Sequence, residues 1–522
     1  MPTNTTNPTN GPIVLLILDG WGLAPDSASN PITQTELPNF DKLFAQGQRT
    51  RLWAHGQYVG LPEDQDGNSE AGHLNLGAGR IVKQDSVIIS EAIADKTFFK
   101  NPAFREAIGH MKRNNAGMHL MGMLSDGQSA HATPEHLYAL LELMAEEKVS
   151  RVYLHLFTDG RDSSPKAGRE LCESLMRRLA PGQEIASITG RFWAMDRKKE
   201  WGRTERAYNA VVLGEGACME DPLAVFDANY ENGVTDEFIE PTVICRDGRA
   251  IGAIEDNDSI IFFNHRSDRA RQLAKPFVQK NFVGKNSETF KPKKVVKNLR
   301  FVALTDFGPD LGDILTAYPS IDVPRSLPMA LSKKKQIYIA ETEKYAHITY
   351  FFNGGYADPV GGEKRIQIPS PSVDRYDKAP AMATAQIAEA VVAALSEGYD
   401  FIAANIAATD MVAHTGNFAA AQEALRATDA AIGAILAVAA EKRGILMVTA
   451  DHGNIEEMSD LSGGHIDTEH SKNQVWFVVT GHEATRGPLR DHGVLADVAP
   501  TILALFGIKK PEEMTGKSLF EL

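Results

Sequence analysis

Three aspartates in this 522-residue chain each close an apolar run. Asp19 follows Ile13–Leu18, Asp410 follows 401–408 and Thr409, and Asp451 follows 445–448 and Thr449-Ala450. Two of the three have histidines close behind, His414 after Asp410 and His452 directly after Asp451. Carboxylate oxygens and imidazole nitrogens are both ligands for divalent metal ions, so these residues point to metal-assisted chemistry. Short aliphatic and β-branched runs bounded by Gly, Asp and Asn read as buried parallel strands. Open α/β sheets bind ligands in the crevice outside the carboxyl ends of such strands. Strands from distant parts of the chain are therefore expected to bring these side chains together.

A glycine-rich segment supplies a nucleophile. Gly67-Asn68-Ser69-Glu70-Ala71-Gly72 precedes His73-Leu74-Asn75-Leu76-Gly77-Ala78-Gly79-Arg80 and reads as the opening of a helix around Ser69. Small neighbours let a phosphate approach the hydroxyl, and the helix N-terminus adds free N–H donors and positive potential. A serine hydroxyl needs a base or a metal to become nucleophilic at neutral pH. Without the nearby metal-ligand runs, Ser69 would read as an ordinary helix cap with Glu70 in the first turn.

The formal charge of −14 argues against DNA, RNA or anionic membranes as partners. Against that background two arginine clusters stand out, at residues 190–197 with Arg203 and Arg206, and at 264–271. Arginine binds carboxylate and phosphate in bidentate fashion. No apolar stretch approaches the ~20 residues of a membrane span. The polar start, residues 1–12, reads as a disordered tail and lacks the basic region of a signal peptide. Cys172, Cys218 and Cys245 are odd in number and widely spaced, which suggests neither a disulfide framework nor a thiolate zinc site. These features favour the cytoplasm.

Strand patterns recur at Met118–Leu124, 152–157, 185–189 and 260–264, with helical segments between them. The Ala-rich stretches 381–397 and 418–442 are amphipathic helices by pattern and propensity. The metal-ligand candidates fall at residue 19 and again beyond residue 400. One α/β domain, 13–83 with 318–522, is thus expected to be interrupted by a second, 84–317.

Further motifs extend the pattern. They are Asp19-Gly20-Trp21-Gly22, Thr158-Asp159-Gly160-Arg161-Asp162, Gly190 to Arg197, and Arg266-Ser267-Asp268-Arg269. Ala340-Glu341-Thr342-Glu343-Lys344, Phe351-Phe352-Asn353-Gly354-Gly355, Asp410 to Gly416 and Thr449 to Asn454 complete the set. In this order, over residues 12–522, the chain resembles the cofactor-independent phosphoglycerate mutases of the alkaline phosphatase superfamily.

The resemblance implies an alkaline-phosphatase-like domain with a largely parallel sheet and an inserted substrate-binding transferase domain. It implies two Mn²⁺ ions, with Mg²⁺ or Co²⁺ in some members. Asp410, His414 and His470 would hold one ion, and Asp19, Asp451, His452 and the Ser69 oxygen the other. His470 is preferred to His465 because Thr468-Glu469-His470 matches the family's Thr-x-His pattern. Asp491-His492-Gly493 repeats a metal-site triplet without a strand run before it and reads as a loop. His73 and His347 read as structural, or at most as supports for the ligands.

By the same resemblance Arg161, Asp162, Arg191 and Arg197 hold the glycerate, and Arg266 and Arg269 reach the phosphate. Lys344 stands beside the transferred phosphoryl group. Asp162 would otherwise read as a helix cap ahead of Ser163-Ser164-Pro165. The family's Ser-Asp-Gly-Gly-Val-His-Ser-His segment is altered to Ser125-Asp126-Gly127-Gln128-Ser129-Ala130-His131-Ala132-Thr133. His131 matches its first histidine with one residue inserted, which implies a catalytic and substrate-binding role for it, and the second histidine has no counterpart.

The activity so implied is the glycolytic interconversion of 3-phosphoglycerate and 2-phosphoglycerate. It proceeds through phosphorylated Ser69, with Asp162 as proton carrier, by a monomer acting on a small molecule. An inserted domain able to close would keep water from the phosphoserine. Two alternatives compete: a phosphatase or phosphopentomutase of the same superfamily, and a non-catalytic metal-dependent binding protein. The arginine-rich insert speaks against the first, and the complete nucleophile and ligand set against the second.

Overall fold

The strand Ile13–Leu18 has every side chain buried and lies between two parallel partners, Phe401–Ile406 and Ile445–Thr449. Burying each large aliphatic side chain contributes roughly 1.5–3 kcal/mol. This explains why such apolar six-residue runs occupy the centre of a sheet covered on both faces. The register sets Leu18 opposite Ile406 and Ile17 opposite Thr449. All three strands therefore end at one edge, and the aspartates that follow them emerge there together.

The protein is described from a computed structural model covering residues 9, 11–312, 314–319, 322–459, 465–481 and 487–521. Most of the proposed N-terminal tail lies outside the described residues. The chain divides into two compact units, residues 1–84 with 321–522, and residues 85–320.

In the first unit the sheet runs Lys364–Ile368, Gln336–Glu341, Phe401–Ile406, Ile13–Leu18, Ile445–Thr449, Val475–Thr480, Gln48–Trp53 and His492–Val494. It is parallel except where Val475–Thr480 pairs with its two neighbours. The helices Thr384–Ser396 and Phe418–Glu441 pack on each other and carry much of the core. The second helix is capped by Asn417, whose side chain accepts the Ala420 N–H. His492, expected in a loop, instead begins the short strand His492–Val494 paired with Gln48–Trp53. Three residues at a sheet edge are too few to show an apolar run in the sequence.

The second unit has a sheet of its own, ordered Leu315–Tyr318, Arg300–Thr305, Ser259–Phe262, Met118–Leu124, Val152–Thr158, Gln183–Gly190, Thr242–Arg246 and Ala217–Met219, with Arg249–Ala250 on Thr242–Arg246. Gln183–Gly190 and Thr242–Arg246 pair antiparallel, as does the Arg249–Ala250 hairpin; the other pairings are parallel. A line of buried polar side chains crosses this sheet. Asp258 contacts His119 Nε2 at 3.0 Å, His119 Nδ1 meets His155 Nε2 at 3.0 Å, and His155 Nδ1 meets Ser187 Oγ at 2.8 Å. With both rings neutral every atom of the line finds a partner: His119 donates to Asp258, His155 to His119, and Ser187 to His155.

Cys218 and Cys245 form a disulfide, with Cα atoms 5.7 Å apart, while Cys172 is free and buried. This corrects the expectation drawn from cysteine number and spacing. The two residues are far apart in sequence but lie on adjacent parallel strands, with Cys218 opposite Val243. Among the described residues no helix is long and apolar enough to cross a membrane.

Candidate functional site

Ser69 opens the helix Ser69–Ala78, and the cap is its neighbour Asn68, whose side chain accepts the Ala71 N–H at 2.9 Å. The serine hydroxyl is thus free for other partners. Lys344 Nζ donates to its Oγ at 2.7 Å, and His452 Nε2 lies 2.9 Å and Asp19 Oδ1 3.2 Å away. Lys344 reaches this point from the turn after Gln336–Glu341, the strand paired with Phe401–Ile406. It also donates to Asp19 Oδ1 at 2.6 Å and Asp410 Oδ2 at 2.7 Å. Burial alone would lower the Lys344 pKa, but Asp19 and Asp410 outweigh it and hold the ammonium charged.

Asp410 lies in the first turn of the helix Ala408–Ala413, one turn before His414. Its Oδ1 accepts from Asn454 Nδ2 at 2.8 Å and lies 3.3 Å from His414 Nε2 and 3.4 Å from His470 Nε2. Burial opposes its ionisation, yet Lys344 and the two histidines keep it well below the usual carboxylate range. Asp19 shows the opposite balance, raised by burial and by the neighbouring Asp451 despite Lys344. Three buried carboxylates, Asp19, Asp410 and Asp451, thus surround one ammonium. Uncompensated buried charge is costly, so this arrangement suits additional cations.

The imidazoles fit the same group. His414 Nδ1 meets Thr468 O at 2.7 Å, His470 Nδ1 meets Gly67 O at 2.8 Å, and His452 Nδ1 meets Gly453 O at 3.2 Å. A carbonyl can only accept, so each Nδ1 carries a proton and each Nε2 is the atom that would face a metal ion. Burial would lower the pKa of His414 and His470, but Asp410 raises both, His414 to about 9, whereas burial pushes His452 down to about 3. The Oδ2 atom of Asp451 is buried and accepts no well-aligned hydrogen bond. Two sets of potential ligand atoms lie within 4.8 Å of one another, Asp410–His452–His470 and Asp19–His73–Asp451. His452 Nε2 is 3.6 Å from Asp19 and 3.5 Å from Asp451, and so lies between the two sets. His73 points its Nδ1 at Ser69 O, 2.9 Å away, and at Asp451 Oδ2, 3.2 Å away, and acts as a brace. His465 and His492 are exposed and join neither set.

The second unit gathers the arginines. Arg191, almost fully buried, donates to Asp159 and to Asp162 Oδ2, the latter at 2.8 Å. Asp162 also accepts from Ser129 Oγ at 2.8 Å. It caps no helix, because the next one begins at Gly168. Burial would raise its pKa, but Arg191 and Ser129 hold it below the ordinary carboxylate value. Asp268 accepts from Arg197 at 2.6 Å, lies 3.4 Å from Arg266 Nε and stands 3.6 Å from His131 Nδ1. Arg269 donates to Met195 O at 3.3 Å, and its pKa is lowered by burial and by Arg191, Arg197 and Arg161. Half-exposed Arg161 contacts Glu237 at 3.8 Å. The cluster therefore offers positive charge to an anionic ligand.

Several partners were not singled out from sequence. Asp268 sits inside a quoted arginine motif, and Asn454 inside a metal-site motif. Asn405, which donates to Asp19 Oδ2 at 2.6 Å, is a polar residue within an apolar strand run. That interruption was the available signal.

A serine hydroxyl held at a helix N-terminus by an ammonium, beside carboxylates and imidazoles at the ends of parallel strands, is an arrangement suited to metal-assisted chemistry in an α/β enzyme. The family model for the BPG-independent PGAM N-terminus matches residues 89–309. The chain is 45% identical over 519 residues to the 2,3-bisphosphoglycerate-independent phosphoglycerate mutase of Moorella thermoacetica, covering 98% of each. It is 43% identical to the Clostridium novyi protein of that name, covering 98% of this chain and 99% of the relative. A crystal structure of Leishmania mexicana phosphoglycerate mutase at low cobalt concentration superposes with a TM-score of 0.75 at 28% identity, covering 99% of both chains. The chain belongs to the 2,3-bisphosphoglycerate-independent phosphoglycerate mutase family.

Proposed function

We propose that the chain interconverts 3-phosphoglycerate and 2-phosphoglycerate without bisphosphoglycerate, with Ser69 carrying the phosphoryl group between the two oxygens. The observation that carries this reading is the Ser69 hydroxyl, held by Lys344 at 2.7 Å with proton acceptors His452 and Asp19 around it. Phosphoryl transfer asks the protein mainly for positioning and charge stabilisation. The Ser69 oxygen bonds to phosphorus as the bond to the C3 oxygen breaks. Lys344 offsets negative charge on the serine oxygen in each direction. The proton that Ser69 gives up, through its acceptors Asp19 and His452, is the one the leaving C3 oxygen takes up. Asp162, held ionised, then takes the C2 hydroxyl proton as that oxygen bonds to phosphorus and the Ser69–phosphorus bond breaks, and this proton returns to the Ser69 oxygen. Over the cycle no proton is gained or lost.

Asp410, His414 and His470 would hold one divalent ion, and Asp19, Asp451, His452 and Ser69 a second. Two such ions, Mn²⁺ by preference and Mg²⁺ or Co²⁺ as alternatives, would supply Lewis acidity to the phosphoryl oxygens and would lower the serine pKa. In the second unit Arg161, Arg191 and Arg197 hold the glycerate and Arg266 and Arg269 bind phosphate oxygens. His131, turned toward Asp268, contributes to the same binding. Cytoplasmic location and a monomeric state belong to this reading. Relatives that match along nearly the whole chain carry the mutase name, which disfavours a phosphatase, a phosphopentomutase or a non-catalytic binder.

An enolase-coupled assay with 3-phosphoglycerate, Mn²⁺ and no bisphosphoglycerate tests the activity. Turnover that disappears after chelation and returns with Mn²⁺ is expected. Phosphate release without 2-phosphoglycerate would identify a phosphatase.

A further inference from the structure

We propose that Glu456 is a positioning residue of the metal centre, its carboxylate joining three of the loops that bear the ligands, those of Asp19, of Asp451 and His452, and of His470. The proposal rests on the reading above that those ligands hold metal ions. Glu456 is buried and accepts hydrogen bonds from neutral donors in separate parts of the chain. Its Oε2 accepts the Gly22 N–H at 2.9 Å, from the loop that follows Asp19. The same oxygen accepts the Asn454 N–H at 2.8 Å, from the loop carrying Asp451 and His452. Its Oε1 accepts from the hydroxyl of Ser471, next to His470, and from Asn473 Nδ2 at 2.9 Å.

A carboxylate suits this point because it offers about four lone-pair sites and no proton of its own. Backbone contacts converge here too: Ile455 N–H donates to Gly20 O at 3.0 Å, and Ser471 N–H to Gly453 O at 3.0 Å. The Glu456 side chain also explains two glycines of the sequence motifs. A Cβ on Gly22 would fall on the Glu456 carboxylate, and one on Gly453 would strike Glu456 Oε1 and Ser471 Oγ. Asp19-Gly20-Trp21-Gly22 and Asp451-His452-Gly453-Asn454 thus owe a glycine each to a residue that ligates nothing. Supports behind metal ligands fix the orientation of those ligands, and their loss commonly weakens metal binding 10–100-fold.

The test is Mn²⁺ affinity, measured by titration calorimetry on the full chain, in the wild type and in Glu456→Ala, Glu456→Gln and Ser471→Ala. Glu456→Ala should bind Mn²⁺ about 10–100-fold more weakly. Excess Mn²⁺ should recover most of its kcat, with KM for 3-phosphoglycerate unchanged because the arginines are untouched. Glu456→Gln should come back toward wild type, since the Ser471 hydroxyl and Asn473 amide can turn to present acceptors to the new NH₂. Ser471→Ala, which leaves Glu456 in place, should show a several-fold loss and keeps the test informative if Glu456→Ala does not fold. A folded Glu456→Ala that binds Mn²⁺ like the wild type would overturn the proposal, as would unaltered affinity in Ser471→Ala. Wild-type protein that binds no Mn²⁺ would overturn the metal reading itself, a different result.

Discussion

The Nε2 atoms of His414 and His470 face each other 3.1 Å apart, while the Nδ1 atom of each is engaged by a backbone carbonyl. With Asp410 Oδ1 within 3.4 Å of both, the carboxylate raises the pKa of both rings, so protons or a metal ion stand among these atoms. Lys344 serves the other side of Asp410 and joins it to Asp19 and Ser69. The candidate metal ligands and the Ser69 hydroxyl are therefore joined through one carboxylate and one ammonium.

Lys344→Met should lower kcat by about 10²–10³, the usual loss on removing a group that stabilises developing charge. It also leaves Asp19 and Asp410 without their ammonium, which should destabilise the metal-free protein by roughly 3 kcal/mol. Coupled assays at saturating Mn²⁺ and urea unfolding after chelation read the two effects. A kcat within a few-fold of wild type would remove Lys344 from the chemistry.

Acid should loosen the 85–320 unit before carboxylates titrate. Burial pushes His136 down to about 4, His265 down to about 3 and His155 well below its ordinary value. The unfolded chain takes up these protons from about pH 6.5 downward while the folded unit stays neutral, so stability is complete above that pH and falls below it. Each histidine contributes a slope of up to about 1.4 kcal/mol per pH unit. Hydrogen exchange of Met118–Leu124 and Val152–Thr158, corrected for intrinsic rates, should lose protection between pH 6.5 and 5. Constant protection would contradict the assignment of these rings as neutral.

Protein purified without reductant should show one free thiol after denaturation, Cys172, and three once reduced. Reduction frees a loop between residues 27 apart in sequence, and should lower stability by up to about 3.6 kcal/mol in the chain-entropy account. Three thiols before reduction would show that Cys218 and Cys245 are not joined.

Legibility in the sequence followed the range of the interactions. Ile13–Leu18 was bounded correctly because six successive apolar residues ending in aspartate signal both a buried strand and its ligand-bearing end. The 260–264 run extended two residues past the strand Ser259–Phe262, since Asn264 turns its side chain to accept the Met123 N–H. Asn405 and Glu456 meet their partners across 386 and 434 residues, and no periodicity marks such pairings. Asp268 was passed over because arginines drew attention as ligand binders, whereas Arg197 and Arg266 both reach this carboxylate. Cys218 and Cys245 failed for another reason: a count cannot pair residues, and only strand order brings them together.

Arg191→Ala should separate transfer from hydrolysis. Arg191 is the buried arginine that holds Asp162, so on the proposed mechanism its loss should weaken both the grip on glycerate and the placement of the proton carrier. Mutase turnover should fall steeply, and inorganic phosphate released per 2-phosphoglycerate formed should rise. An unchanged ratio, measured alongside the coupled assay, would mean that other groups retain the glycerate.

Transfer through Ser69 is tested most directly by acid-quenching the Mn²⁺-loaded enzyme during turnover of phosphoryl-labelled 3-phosphoglycerate and mapping the label by peptide mass spectrometry. The label is expected on the peptide containing Ser69, and Ser69→Ala, folded and still binding Mn²⁺, should carry none and have lost nearly all mutase activity. Substantial turnover by Ser69→Ala, or label on another residue, would contradict a phosphoserine intermediate at this position.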